Sequence, residues 1–410
     1  MNTPSPLQPR LARYEDWPEI ITVDARSFAL PAPLPEAEIA EFRAKVAGAL
    51  VVRDEGSDGD PLVAVSLYHE LPVTVPGGAA LTSAGLSWVS VTATHRRRGL
   101  LRRMLTDQFA MWREAGLPIA TLTASEGGIY ERFGFGPACF AHSVAIAPTA
   151  VDWRTPAPAD SRVRYGTREQ IAQQIPELHA RWARTRPGAI GRPATWWPSI
   201  LADRGFRRNS QTSDLYYLLH RDGYAAYRLD AREMSATVEE FCAVTPQAHT
   251  DLWRVLTGLD LVTSISAKVP VDDTLPLELR NARAVQINGR SDELWVSLLD
   301  VPAALAARTY GADGTIMLTV TDGWAGRDGE YLLTVTDGQA TVDTATVPAD
   351  ALPAVPRAEL SVSVLSSMYT GGIPARQFAA AGRIRADDEA IALLDAMFAT
   401  SRAPFAGTYF

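Results

Sequence analysis

LSWVSVTATHRRRGLLRRML, residues 86–105, runs a strand pattern into a helical one through a turn that holds three consecutive arginines and a glycine. Leu86, Trp88 and Ser90 alternate with Ser87, Val89 and Val91, which predicts a strand buried on at least one face. From Gly99 onward Leu100, Leu101, Met104, Leu105, Phe109 and Trp112 recur at helical spacing. One stripe therefore packs on a sheet while Arg102, Arg103 and Arg113 face elsewhere. The first turn of a helix has unpaired backbone N–H groups and about half a positive charge from aligned peptide dipoles, and Gly99 admits close approach to that backbone. A diphosphate suits such a place. A solvated arginine cluster or a nucleic-acid contact also suits the arginines, and the turn by itself does not choose among them.

The next strand and turn add a second half-motif. IATLTA, residues 119–124, predicts a strand, and SEGGIYERFGFG, residues 125–136, follows it. An R-x-x-G junction succeeded, after the next strand, by Tyr-x-x-Phe-Gly-Phe resembles the GNAT (Gcn5-related N-acetyltransferase) superfamily, although Leu101 stands where a small residue is commonest. In that superfamily the first half holds the acetyl-CoA pyrophosphate and the second lies across the thioester from it.

Composition narrows the classes. With 410 residues, 47% of them hydrophobic, the chain fills two or three domain cores, and the patterning below favours three. A net charge of −8 argues against bulk nucleic-acid binding, although five arginines fall within residues 96–103; a small anionic ligand fits that local patch better. Only Cys139 and Cys242 occur, so no disulfide framework is expected and a reducing cytoplasm is the default. The six histidines show no metal-ligand spacing and no G-x-S-x-G elbow appears, so neither a metal nor a serine nucleophile is expected. The leader MNTPSPLQPRLARYEDWPEI has no signal-peptide core, and no apolar run approaches the ~18 residues of a membrane span.

Taken in order, helices are predicted over Glu15–Phe28 and Glu36–Val46, and antiparallel strands over Ala49–Arg53 and Leu62–Leu71. The strand–helix–strand core comes next, and a last strand over Cys139–Ile146 closes an α/β unit. After a linker with Pro148, Pro156 and Pro158 a second unit repeats the outline: helices within Arg168–Arg184 and Thr195–Arg204, strands Asp214–His220, Tyr224–Leu229 and Ala236–Val244, and helix Pro246–Leu256. At its junction Pro246 removes an N–H and no R-x-x-G is present, so this unit is expected to bind no CoA. Trp295–Leu299 leads into a short helix ending near Arg308. Asp-Gly pairs then punctuate strands Thr315–Thr321, Tyr331–Thr336 and Ala340–Thr346 in an antiparallel meander. A strand over Glu359–Leu365 and helices over Pro374–Arg383 and Asp387–Thr400 complete an α+β unit.

Across the whole chain the phrases THRRRGLLR, ASEGGIYERFGFGPA and DGYAAYRLD, and the order of the three units, resemble the Eis (enhanced intracellular survival) family of acetyl-CoA-dependent N-acetyltransferases. The resemblance implies two tandem GNAT-like domains, the second degenerate, at 1–147 and 160–297. A sterol-carrier-protein-like domain at 298–410 would follow, its tail docked in the active site, within a homohexamer. It implies that Val89, Ser90 and Val91 pair with the pantetheine arm and that Arg97, Arg98, Gly99, Leu100, Leu101 and Arg102 surround the pyrophosphate. Ser125 and Glu126 would lie beside the cofactor, and Phe28 and Trp88 would wall the acceptor pocket. The implied activity is acetylation of primary amines of aminoglycosides, at more than one position.

An amine must be neutral to attack a thioester, and the departing thiolate benefits from an acid; a tyrosine of pKa ~10 stays protonated to serve. By the resemblance Tyr130 is that acid and the C-terminal carboxylate of Phe410 is the base. Leu30 and Tyr409 stand where the family carries acids, which leaves Glu36, Glu38 or Glu41 to supply negative charge. A protein-lysine or polyamine acetyltransferase is the first alternative. A lipid-carrying scaffold with a vestigial first unit is the second.

Overall fold

The computed structural model describes residues 7–29, 34–158, 162–204, 211–344 and 355–410. The first unit comprises β1 (Pro9–Leu11), α1 (Trp17–Phe28), α2 (Glu36–Arg43), β2 (Gly48–Arg53), β3 (Leu62–Thr74), β4 (Ala80–Val91), α3 (Leu100–Glu114), β5 (Ile119–Leu122) and β6 (Gly136–Ile146). The second comprises β7 (Arg164–Tyr165), α4 (Arg168–Ala183), α5 (Trp197–Leu201), β8 (Tyr216–His220), β9 (Gly223–Asp230), β10 (Ser235–Ala243), α6 (Pro246–Thr257), β11 (Ser264–Pro270), α7 (Leu275–Glu278) and β12 (Val285–Leu298). The third comprises α8 (Val301–Ala306), β13 (Gly314–Thr321), β14 (Gly329–Thr336), β15 (Gln339–Thr344), β16 (Arg357–Ser361), α9 (Val362–Met368), α10 (Ala375–Ala380), β17 (Ile384–Ala386) and α11 (Asp388–Phe398).

One sheet runs through both of the first two units. Its order among the described residues is β1-β2-β3-β4-β5-β12-β6-β11-β10-β9-β8-β7. Strand β12 leaves the second unit and inserts between β5 and β6 of the first, pairing Trp295 with Leu122 on one side and Val285 with Ile146 on the other. Strand β6 in turn pairs with β11, so each unit lends the other a strand. Both units keep one parallel pair, β4 with β5 and β10 with β11, which is the architectural repeat the pattern suggested.

Burial follows the helical stripe read from residue 99 onward. Leu100, Met104, Leu105, Phe109 and Trp112 of α3 are each 2% exposed or less, whereas Arg102 and Arg103 are exposed. At about 1.5–3 kcal/mol for each large apolar side chain removed from water, this face fixes α3 against the sheet. On the opposite face Ile20, Ile21, Val23 and Ala25 of α1 are buried, as their spacing predicts.

The third unit corrects one expectation. The run Glu359–Leu365 reads as a strand, but the strand ends at Ser361, whose hydroxyl accepts from the Val364 amide and caps α9. Every residue of α9 is buried, so the β-branched run has no polar face to mark its period. The meander β13–β14–β15 is antiparallel, and β16 joins β13 in parallel. The end of the predicted Ala340–Thr346 strand lies outside the described residues, as does Leu30.

Candidate active site

Strand β4 opens the site by breaking its own alternation. Trp88 adopts φ 49°, and the register against β3 slips between Val65–Ser90 and Leu67–Ser87, so a bulge occupies the middle of the strand. Pairing of β4 with β5 ends at Leu86 and Leu122. Beyond that point the two strands part, and Val89, Ser90 and Val91 face the gap. The strand then turns through Ala93–His95 and the exposed Arg96-Arg97-Arg98-Gly99. Arg97 (φ 63°) and Gly99 (φ 78°) are left-handed, and no side chain caps the first turn of α3. Its N–H groups therefore point at an open site with three guanidinium groups around it. The matching helix α6 differs: Thr245 Oγ1 accepts from the Ala248 amide at 3.2 Å and Pro246 has no amide hydrogen to give.

A cleft of about 780 Å³ occupies this gap. Its lining includes Phe28, Val89, Ser90, Val91, Arg97, Gly99, Leu100, Leu101, Arg102, Ser125, Glu126 and Tyr130, bringing both half-motifs to one cavity. Arg98 turns instead to a neighbouring cavity of about 450 Å³ that it shares with Gly99, Arg102 and Arg103. Trp88 is not part of the cleft lining; it stacks on Phe42 with ring centroids 4.1 Å apart. Sequence reasoning missed Ser27, His95, Arg96, Ile129, Arg132, Phe133, Gly323 and Trp324 among the lining residues.

Tyr130 is held from two sides. Its side chain is 7% exposed, its ring meets Phe135 edge-on at 6.1 Å, and its carbonyl accepts from the Phe133 amide at 3.0 Å. Burial, reinforced by Glu126, pushes the phenol up to about 12, so it stays protonated at neutral pH. The third unit supplies the second hold. Arg327 donates to the Phe133 carbonyl at 3.1 Å, to Ser297 Oγ at 2.8 Å and to the Leu298 carbonyl at 2.9 Å, and pairs with Asp322 at 2.8 Å. Gly134, at φ 83°, leaves room for that guanidinium. Trp324 packs edge-on against Phe109 and Phe133 at 4.5 and 4.9 Å and reaches the cleft. The one sequence signal was the loop at 322–329, too long for a plain two-residue hairpin and carrying a Trp and an Arg between its two Asp-Gly pairs.

The C-terminal tail crosses the second unit before it ends in the first. The Phe405 amide donates to the Pro187 carbonyl at 3.0 Å, and the Ala406 carbonyl accepts from Ile190 at 3.1 Å. Arg192 reaches Thr408 Oγ1 at 3.1 Å and the Gly407 carbonyl at 3.3 Å while pairing with Glu240 at 2.7 Å. Gly407 (φ 63°) lies where a Cβ would fall 2.8 Å from Trp182 Cζ3. Phe410 then lays its ring over Gly85 of β4, where a Cβ would fall 2.9 Å from Phe410 Cε2, and edge-on to His69 at 6.5 Å. His69 Nδ1 donates to the Lys45 carbonyl at 2.8 Å, and burial lowers its pKa to about 4, so this neighbour is neutral. Two of the three acids of α2 are already partnered: Glu38 and Glu41 both pair with Arg204, and Glu41 also with Lys45, while Glu36 is exposed. Among the described residues no three His, Cys, Asp or Glu side chains gather as metal ligands, and no helix is long and apolar enough to cross a membrane.

Known proteins match the chain in the same three parts. Two GNAT acetyltransferase domain families match residues 8–138 and 188–299, and a sterol carrier protein domain family matches 301–407. N-acetyltransferase Eis of Mycobacterium tuberculosis is 37% identical, over 94% of this chain and 95% of that protein. An uncharacterized N-acetyltransferase of Streptomyces griseus is 33% identical, over 92% and 93% respectively. The crystal structure of Eis1 from Mycobacterium abscessus superposes with a TM-score of 0.85 at 28% identity, over 98% of this chain and 100% of that one. A GCN5-related N-acetyltransferase from Anabaena variabilis shares the fold at a TM-score of 0.80 and 18% identity, over 98% and 100%. With two GNAT domains followed by a sterol-carrier-type domain, this chain belongs to the Eis family of N-acetyltransferases.

Proposed function

We propose that this acetyltransferase moves the acetyl group of acetyl-CoA to primary amines of aminoglycosides, at more than one position on the molecule. The observation that carries the reading is the single cleft into which both half-motifs project. In it the uncapped first turn of α3 and Arg97 bind the diphosphate, Arg98 and Arg102 extend the positive field, and Val89, Ser90 and Val91 pair with the pantetheine amides. Ser125 and Glu126 border the cofactor, and Phe28 flanks the acceptor. The Phe410 carboxylate takes a proton from the attacking amine, and Tyr130 gives one to the CoA thiolate. The working division is a catalytic unit at 1–147, a second unit at 160–297 that binds no CoA, and a third at 298–410. Assembly as a homohexamer rests on the family resemblance alone.

The pairing of Glu38 and Glu41 with Arg204 and Lys45 favours a second reading, in which the acceptor carries fewer charges, such as a lysine side chain or a small polyamine. Thiol release measured with kanamycin, spermidine and a lysine peptide separates the two. Turnover fastest on kanamycin, with more than one acetyl group added by mass, supports the first. Turnover only on the lysine peptide or spermidine overturns it.

A further inference from the structure

Helix α1 carries a carboxyl group that the chemistry above does not use. Asp24 is 2% exposed on a face otherwise built from Ile20, Val23 and Ala25. One helical turn further on, Ser27 and Phe28 line the cleft, so Asp24 lies on the same face one turn below them. Across from it Ser90, itself a cleft residue, donates its hydroxyl to Asp24 Oδ1 at 3.0 Å.

No cation accompanies this carboxyl among the described residues. On the packed elements Asp16 is committed to Arg10 and Arg53, Glu38 and Glu41 to Arg204, and His69 to the Lys45 carbonyl; β4 carries no titratable side chain. Of the remaining groups on α1, α2 and β3, neither Glu19 and Arg26, nor Glu36 and Arg43, nor Tyr68 and Glu70 bonds to it. Burial pushes Asp24 up to about 6, and the Ser90 hydroxyl pulls the other way. At neutral pH it is a buried carboxylate with one hydrogen bond and no counter-charge, which is costly unless a cation arrives. A protonated amine entering the cleft supplies one.

We propose that Asp24 binds the acceptor ammonium and takes the first of the two protons that the amine must lose. The proposal rests on the acetyl-transfer reading. The ammonium gives a proton to the Asp24 carboxylate, leaving a neutral amine and a carboxylic acid. The nitrogen lone pair forms the N–C bond to the thioester carbonyl, and the C–S bond breaks as Tyr130 protonates the CoA thiolate. The second nitrogen proton passes to the Phe410 carboxylate and returns to Tyr130, and Asp24 releases its own proton to water. Overall one ammonium and acetyl-CoA give one amide, CoA thiol and one proton.

The test uses the full chain with kanamycin and spermidine as probes. Asp24→Asn keeps the shape, and kcat/KM for the amine at pH 7.5 is expected to fall about 10–100-fold, with the acetyl-CoA Kd by calorimetry within about twofold. The acid limb of the kcat/KM profile disappears in Asp24→Asn. In Ser90→Ala it moves to higher pH, because the lost hydroxyl had favoured the charged form. A structural role would lower kcat/KM equally at every pH. Wild-type kcat/KM with an unchanged acid limb in Asp24→Asn overturns the assignment alone. A wild-type enzyme that binds acetyl-CoA yet turns over neither probe overturns the acetyl-transfer reading along with it.

Discussion

Replacing Arg192 with alanine tests whether the second unit positions the C-terminal tail. The guanidinium is 5% exposed and lies 5.1 Å above the Trp197 ring. Burial works against its charge, and Glu240 overrides that and holds it charged. From this position it donates to Thr408 Oγ1 at 3.1 Å and to the Gly407 carbonyl at 3.3 Å, the last fixed points before Phe410. Hydrogen bonds from a charged donor contribute about 1.5 kcal/mol or more each, so losing both weakens tail docking by about 3 kcal/mol. That is roughly two decades in the ratio of docked to free tail. Breaking the pair with Glu240 also lowers global stability by about 3 kcal/mol. Thiol-release kinetics on Arg192→Ala should show kcat down by up to about 100-fold, with the acetyl-CoA Kd unchanged because Arg192 touches neither α3 nor Val89, Ser90 and Val91. Arg192→Lys keeps the charge beside Glu240 and loses the fork, so it should fall between. A folded Arg192→Ala enzyme with wild-type kcat would refute the idea that the second unit positions the tail.

Gly134→Ala should lower Tm by several degrees and reduce kcat, because a side chain at φ 83° costs about 1–2 kcal/mol and its Cβ would lie 2.9 Å from Val362 Cγ1 and crowd Arg327; differential scanning fluorimetry and initial rates check this. His249 is pulled down by burial but raised, on balance, to about 9 by Asp273 and Glu278. Its folded value lies above the unfolded 6.5, so its stabilisation is complete below pH 6.5 and lost as pH rises through 9. Wild-type Tm should decline across that window, and His249→Gln should flatten it. Asp24 has the opposite sign. Its raised folded value makes stability fall as pH rises from about 4 to about 6, by on the order of 3 kcal/mol. Asp24→Asn should therefore melt above wild type at pH 7.5, with the gap closing near pH 4.

The strand–turn–helix at residues 86–105 was legible because its determinants are local: an apolar stripe at helical spacing, a glycine that takes φ 78°, and a run of exposed arginines. What the sequence concealed is non-local. Strand β12 begins with the polar run Gln286–Glu293, exposed over most of its length, so no alternation marks it as the strand completing another unit's sheet. The Trp88 bulge breaks a pattern that reads as uninterrupted, because a positive φ at tryptophan leaves no trace in composition. Trp324 reaches the cleft, and Arg327 the Phe133 carbonyl behind it, from a loop some two hundred residues downstream, by packing that no spacing rule encodes. In the sequence Asp24 is one polar residue within a helical pattern, with nothing to single it out. Its isolation becomes visible only in the structure, where Ser90 is its one hydrogen-bond partner and no cation pairs with it among the described residues.

The role of the chain terminus is tested most directly by converting the Phe410 carboxylate to the primary amide, which removes the charge and leaves the ring against Gly85 and His69. If that carboxylate is the base, kcat for acetyl transfer should fall about 10²–10⁴-fold while acetyl-CoA binds with unchanged affinity. An amidated enzyme turning over at the wild-type rate would contradict it.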